Sequence, residues 1–287
     1  MAVYTHALPS GGQVTTCESW GEFLDHVSSD APHTMYQSHA TGRDDWAGTK
    51  DFDSAMSLAR DGWLKGAERI RNMSQRLEAK LIHKIVREDW NYDVEGHAFD
   101  IARYLSNEPE HWHTVEESDI AENAHRHVRI NYNITASCGV GTDVIEARGA
   151  ACAALIELLE YAGHRVELWV SMSCSANHSE KQADAWAVVM CKVKSYDQHM
   201  TPDRIAFAVA HPSMLRRLMF AGFEHLSLPV QKKISWGYGL PCEYKADDTA
   251  IYLGHAMWGN SQWLTPSGAE AWILGELAKQ GVVIRED

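Results

Sequence analysis

Nowhere in these 287 residues is there an apolar run long enough to cross a bilayer, and the chain does not open on a basic segment followed by an apolar one. The expectation is a soluble, unexported protein of the cytoplasm. Cysteine pairs of the C-x-x-C kind are missing as well: Cys17, Cys138, Cys152, Cys174, Cys191 and Cys242 are scattered, several in apolar surroundings. They read as reduced core thiols. Also absent are G-x-G-x-x-G, a Walker A loop, a G-x-S-x-G elbow and H-E-x-x-H. No nucleophile, base and orienting group can be assembled from the sequence, which therefore predicts a non-enzyme without a cofactor. Positive charge is short overall, 26 Lys and Arg against 39 Asp and Glu for a net of −13. That balance argues against coating nucleic acid by bulk charge. With 45% hydrophobic residues, the chain can still bury one large core or two smaller ones.

What positive charge there is lies together. Arg60, Lys65, Arg69, Arg71, Arg76, Lys80, Lys84 and Arg87 stand against Asp61, Glu68 and Glu78, a local balance of +5 that leaves −18 for the remainder. Within this stretch Ile70, Met73, Leu77, Leu81 and Ile85 recur at three- and four-residue steps. The spacing predicts an amphipathic helix over 66–89 whose outer face carries the basic cluster. Eleven Trp are many for this length, and Trp46, Trp63 and Trp90 surround the basic helix. A second patch joins Arg216, Arg217, Lys232 and Lys233 to Trp236 and Tyr238. Binding of single strands needs a cationic track for the backbone and aromatic faces for the bases. The candidate nucleic-acid-binding residues are therefore the eight cations from Arg60 to Arg87 with Trp63, and Arg216, Arg217, Lys232, Lys233 and Trp236. The plainer alternative is a solvated basic helix face with its Trp residues in the core.

The first 50 residues are polar and rich in Gly, Ser, Thr and His, and read as loops and short helices. Helices are predicted over 51–62 and over 96–109, the second stopping at Pro109. Residues 1–124 are thus expected to be mainly helical and packed on the domain that follows. From His125 onward strand and helix alternate. Strands are predicted over 127–137, 165–172, 184–193, 247–256 and 282–286. A long helix over 142–163 has Thr142 as its N-cap and Gly163 as its stop. Helices also fill 201–226 and 265–281, the latter with Pro266 near its first position. About ten residues separate the second and third strands, too few for a parallel crossover, so these two should form an antiparallel hairpin. The whole of 125–287 reads as an α/β domain, a mostly parallel sheet with helices on both faces.

The stretch "NITAS" (133–137), with "LIELLEYAGHRVELWV" after it, resembles a von Willebrand factor A domain, whose D-x-S/T-x-S loop lies between the first strand and the long helix. The resemblance implies an A-type α/β fold for roughly 126–287. Asn133 stands where the family has Asp, while Thr135 and Ser137 fit the hydroxyl positions. Magnesium is usually anchored by one or two carboxylates, so the expectation is a degenerate site without metal. Asn133, Thr135 and Ser137 would instead hydrogen-bond the strand-to-helix turn. The H-x-H pairs His111/His113 and His125/His127 are zinc-ligand types, but no Cys stands at ligand spacing and they read as solvated. "SCGVGTD" (137–143) precedes a helix, as a phosphate loop would, without a Lys beside the turn.

Along the whole chain, "WAGTKDFDSAMSLARDGWLKG" and "YDVEGHAFDIARYLSNEPEHW", followed by the strand-helix-strand unit, are similar to tailed-phage proteins. Among these they resemble the single-stranded-DNA-binding RNA polymerase cofactors of podoviruses. The resemblance implies binding of unwound DNA, recruitment of a phage RNA polymerase and a place in the host cytoplasm. No family binding residue aligns onto this chain. The functional expectation is a single-stranded-DNA-binding transcription cofactor, away from membranes and compatible with a homo-oligomer. Two alternatives are a non-catalytic protein-interaction module with a degenerate A-type site, and a zinc-dependent hydrolase built on the histidine pairs.

Overall fold

The computed structural model describes residues 3–31, 44–81, 89–96, 98–116, 126–176, 185–198, 201–234, 238–246, 249, 251–257 and 261–282. Strands β1 (Tyr4–Ala7) and β2 (Gln13–Cys17) lead into α1 (Trp20–Ser28). Three helices follow, α2 (Asp44–Ala47), α3 (Phe52–Asp61) and α4 (Leu64–Glu78). A small unit comes next: β3 (Asp89–Asp93), β4 (Ala98–Phe99), α5 (Ile101–Leu105) and β5 (Trp112–Glu116). Then come β6 (His127–Asn133), α6 (Thr142–Tyr161), β7 (Arg165–Ser175), β8 (Ala185–Lys194) and α7 (Pro202–Ala210). A π-helical turn (Met214–Met219), α8 (Phe220–Glu224), α9 (Leu228–Lys233), β9 (Leu240–Pro241), β10 (Ile251–Leu253), a 3-10 turn (Ser261–Leu264) and α10 (Pro266–Lys279) complete the order.

The main sheet runs β1-β2-β8-β7-β6-β10, and β9 takes over the edge of β7 beyond the end of β6. It is a mixed α/β arrangement in which β2–β8, β6–β7 and β6–β10 are parallel pairs. The 20 residues of α6 give β6 and β7 the crossover that parallel pairing needs. β7 and β8 lack one and pair antiparallel, as their short connection implies.

In its first half the folded chain departs from the expected elements in three places. Residues 4–7 and 13–17 are strands, not loops: β2 lies beside β8 in five-residue register with Val14 and Cys17 fully buried. Its sequence, QVTTC, hid this because the β-branched threonines that favour a strand also read as polar. The helix expected over 66–89 ends at Glu78, and 82–88 lie outside the described residues. The helix expected over 96–109 shrinks to α5, capped by Asp100, which accepts from the Ala102 and Arg103 amides. Before and after it stand β4 and β5, which join β3 in a separate three-stranded sheet. At α6 the N-cap is Gly141, with Thr142 as the first helical residue, while Gly163 at φ +90 ends the helix as expected. The strand expected over 282–286 falls almost wholly outside the described residues.

One apolar core takes side chains from Cys17 to Leu81 and from Val128 to Leu277. Val188 and Met190, on the other face of β8, pack with Val14, Trp169 and the non-helical segment at Tyr244 and Ala246. Cys17, Cys152, Cys174, Cys191 and Cys242 are buried free thiols and Cys138 is exposed. No helix among the described residues is long and apolar enough to cross a membrane.

Two features of the core are open to test. α6 carries a run of small residues, and at Gly149 it comes so close to α7 that a Cβ would lie 2.1 Å from the Val209 carbonyl oxygen. Gly149→Ala should therefore destabilise the fold by about 2 kcal/mol through overpacking, read as a lowered urea midpoint. An unchanged midpoint would mean that the two helices separate freely. His211, at the end of α7, is 7% exposed, stacks on Phe207 at 5.2 Å and accepts from the Ser213 amide. Burial pulls its pKa down to about 4. The unfolded chain therefore takes up this proton first, and stability is lost as pH falls below about 6.5. Between pH 6.5 and 5 that loss is about 2 kcal/mol, with His26, also lowered to about 4, acting in the same direction. Denaturant titrations should show this slope and should show it reduced in His211→Phe.

Candidate nucleic-acid interface

α4 is placed by its inner face, where Ala67, Ile70, Ser74 and Leu77 are buried. Ser74 reaches out of that face to the Ile70 carbonyl and to the Glu157 carboxylate on α6. Outward stand Lys65, Arg69, Arg71 and Arg76, all exposed, and Arg60 is exposed at the end of α3. Arg69 pairs with Glu146, and Arg76 lies 3.9 Å from Glu270, through guanidinium-bearing side chains that stay 64% and 61% accessible. Surface pairs of this kind are worth about 1 kcal/mol or less. Lys80 is half-buried, and Lys84 and Arg87 lie outside the described residues.

The aromatic partners are more committed than their sequence context implies. Trp63 is half-buried: its amide donates to the Asp203 carbonyl and its ring stands edge-on to His211 at 4.8 Å. Gly66 is required beneath it, since a Cβ would meet the indole at 2.1 Å. Trp46 lies over the Arg216 guanidinium at 4.4 Å and against Phe220. Trp90 sits on β3, and Trp236 is outside the described residues.

Arg216 and Arg217 are a correction. They are 2% and 0% exposed, in the π-helical turn, and they serve backbone carbonyls. Arg216 donates to Trp46 and Val140, and Arg217 donates to Thr49 and Lys50. Burial lowers Arg216 to about 10. Neither guanidinium is placed to meet a phosphate. Their basic type fitted the pattern, but the apolar neighbours Met214, Leu215, Leu218 and Met219 were the signal of an interior helix. The second patch thus reduces to Lys232 and Lys233, both exposed, the latter over the Trp186 ring at 4.2 Å.

At the end of β6, Asn133 and Thr135 are 0% and 3% exposed. The Asn133 Oδ1 accepts from the Thr135 amide at 3.1 Å and from its hydroxyl at 2.5 Å. The Nδ2 group lies within donating distance of Ser173 Oγ, the Cys242 carbonyl and Tyr252 Oη. Thr135 Oγ1 in turn accepts from the Ser173 amide. Ser137 is half-buried and gives its amide to the Ala256 carbonyl. The amide of Asn133 is needed both as donor and as acceptor, a demand no carboxylate meets.

The histidine pairs are likewise engaged. His111 Nδ1 lies 2.8 Å from the Glu108 carbonyl, His113 packs on Tyr92, and His127 stacks on Tyr196. His125 is outside the described residues. Among the described residues no group of three or more His, Cys, Asp and Glu is arranged to hold a metal. An aromatic surface that the sequence reading missed lies here: Phe99 contacts Tyr104, His111 and Trp112, with Phe99 40% and Tyr104 55% exposed. Its signal was the density of aromatic and His residues in 99–113.

Asn133→Asp tests the buried knot. It restores the metal-binding residue type yet removes the donors that Ser173 and Cys242 need, and should cost about 3 kcal/mol of stability. Magnesium at millimolar concentration should not restore the melting temperature. A magnesium-dependent recovery would show that the loop still folds as a cation site.

No curated protein and no solved structure matches the chain. A family model described as a domain of unknown function, DUF7192, matches residues 10–282. That span runs from the turn before β2 through the end of α10, and the chain belongs to the DUF7192 family.

Proposed function

We propose that this protein binds single-stranded DNA with little sequence preference along the outer side of α3 and α4, and serves transcription by bringing unwound DNA to an RNA polymerase. The observation that carries the reading is the exposed basic stripe. At 100° per residue Lys65, Arg69 and Arg76 fall within about 40° of one another, over about 16 Å of helix, and Arg60 extends the positive surface at one end. Arg71 lies on a second flank. The carboxylates beside Arg69 and Arg76 are weak surface partners that a phosphate backbone can displace. The −18 carried by the rest of the chain disfavours indiscriminate adhesion to duplex. The likeness to phage polymerase cofactors points the same way. The scaffold belonging to this reading is A-domain-like, with helices on both sheet faces and a former metal loop turned into a hydrogen-bonded knot at Asn133.

A protein-contact role is the second reading. Val94 just past β3, Phe99 on β4, and Ile101, Tyr104 and Leu105 on α5 are all 40% or more exposed, a density of apolar surface that favours a protein partner.

Fluorescence anisotropy of a labelled single-stranded oligonucleotide, with duplex of the same sequence as control, tests the main reading. Binding should prefer the single strand and weaken with salt at a log–log slope of about −2 to −3. Replacing Lys65, Arg69 and Arg76 together by Glu should lower affinity at least tenfold. No binding at low salt, or a triple variant that binds like the parent, would overturn it and leave the protein-contact reading.

A further inference from the structure

We propose that a second site, a cleft at the carboxyl ends of the parallel pair β2–β8, binds a phosphomonoester. The cleft has a volume of about 540 Å³ and is lined from α1, the end of α3, the end of β8 and the start of α7. Four of its lining residues are cations, Arg60, Lys192, Lys194 and Arg204, and none of the described lining residues is acidic. In a chain with 39 acidic residues against 26 basic ones, that lining is against the trend.

The four cations are not equivalent. Lys192 is held 2.8 Å from Glu18 and lies over the Trp169 ring. Lys194, 3% exposed, pairs with Glu160 and donates to the Val166 and Ser195 carbonyls. The side chains of Arg60 and Arg204 have no ion-pair or hydrogen-bond partner among the described residues, and the Arg204 Nε is buried without an acceptor. A buried donor left unmet is costly, so an acceptor brought in from outside is favoured here.

The backbone adds donors. β2 ends at Cys17 and α1 begins at Trp20, with the Ser19 side chain capping the Glu22 amide. The amides of Trp20 and Gly21, in the first turn, have no acceptor within the helix, and both residues line the cleft. A Cβ on Gly21 would meet nothing within 4 Å, so the space beside that turn is open. Anions favour such a helix start, and ligands of α/β sheets gather outside the carboxyl ends of parallel strands.

A phosphomonoester fits better than a carboxylate. Two guanidinium forks match two pairs of phosphate oxygens, and a dianion balances both uncompensated charges. The volume falls in the range of small-molecule pockets, about 300–1,000 Å³, and leaves space for a nucleoside-sized body beside Ser195, Gln198 and Thr201. This inference does not rest on strand binding by α4, with which it shares only Arg60. The same chemistry is offered by a free nucleotide and by the 5′-phosphate end of a strand.

Calorimetric titration of the full chain with AMP, inorganic phosphate and adenosine tests the site, with parallel anisotropy of 5′-phosphorylated and 5′-hydroxyl oligonucleotides. AMP and phosphate should bind and adenosine should not. Arg204→Gln should weaken AMP at least tenfold, and Arg204→Lys should weaken it less. Should Arg204→Gln fold poorly by circular dichroism, Arg60→Gln carries the same comparison at an exposed position. A gain in affinity from the 5′-phosphate identifies a strand end as the source, and AMP binding without that gain identifies a free nucleotide. Replacing Lys65, Arg69 and Arg76 by Glu should leave AMP binding unchanged, so failure of the strand reading is separable from failure of this one. The proposal is overturned by absence of binding to AMP and phosphate together with no 5′-phosphate effect, and equally by binding that the Arg variants leave intact.

Discussion

The burial of Arg216 and Arg217 is the constraint on which much of the helical side depends. Their guanidinium groups meet the carbonyls of Trp46 in α2 and of Thr49, Lys50 and Val140, which lie outside the helices and strands. A buried carbonyl needs a donor, and two arginines from one π-helical turn supply several at once. The turn at 48–51 leads directly into α3, whose N-cap Asp51 accepts from the Ser54 amide. The placement of α3, and of Arg60 at its far end, thus follows from cations that never reach solvent. Ser213 reinforces the same joint through the Ala47 carbonyl and the Thr49 hydroxyl.

Basic residues in this protein have sorted into three physical roles. Some are structural donors, as Arg216 and Arg217 are. Others are neutralised in place, as Lys194 is by Glu160 and Arg129 is by Glu167. Others keep their charge exposed or unpartnered, among them those on α4's outer stripe, Lys232 and Lys233, and Arg60 and Arg204 in the cleft beside α1 and α7. Net charge alone cannot separate these roles, because an Arg facing carbonyls and an Arg facing water count equally. What distinguishes them is whether a carboxylate or a carbonyl lies within reach, which only the folded chain decides.

The second half was legible because its periodicities are strong and its connections have length limits. The apolar run of β7, the 20 residues of α6 and the short β7–β8 connection each left few options. The first half was legible only in part: α3 and the body of α4 lie where helices were expected, and the misses differ from element to element. β2 owes its strand to a neighbour far away in sequence, β8, so local polarity misled. α5 and the small sheet are pinned by Asp100 capping and cross-strand pairing that a helical spacing does not reveal. At the site, the exposed cations of α4 were readable from the apolar positions opposite them. Arg204 was not, because its significance comes from α1 and β8 closing around it.

The two ends of the sheet divide the work that an α/β scaffold usually concentrates. At the carboxyl ends of β6, β7 and β10 the backbone is closed by Asn133, whose amide ties Thr135, Ser173 and Cys242 into one buried network. The Asn133 amide is thereby committed to protein partners rather than to a ligand. β2 and β8 run opposite to β7, so their carboxyl ends emerge at the other end of the sheet. There the amides of Trp20 and Gly21 in the first turn of α1 have no acceptor within the helix, and among the described residues Arg60 and Arg204 stand without counter-ions. A sheet that reverses direction between β7 and β8 therefore offers two carboxyl ends, and in this chain one is tied by the Asn133 hydrogen bonds while the other opens into a cleft lined with cations.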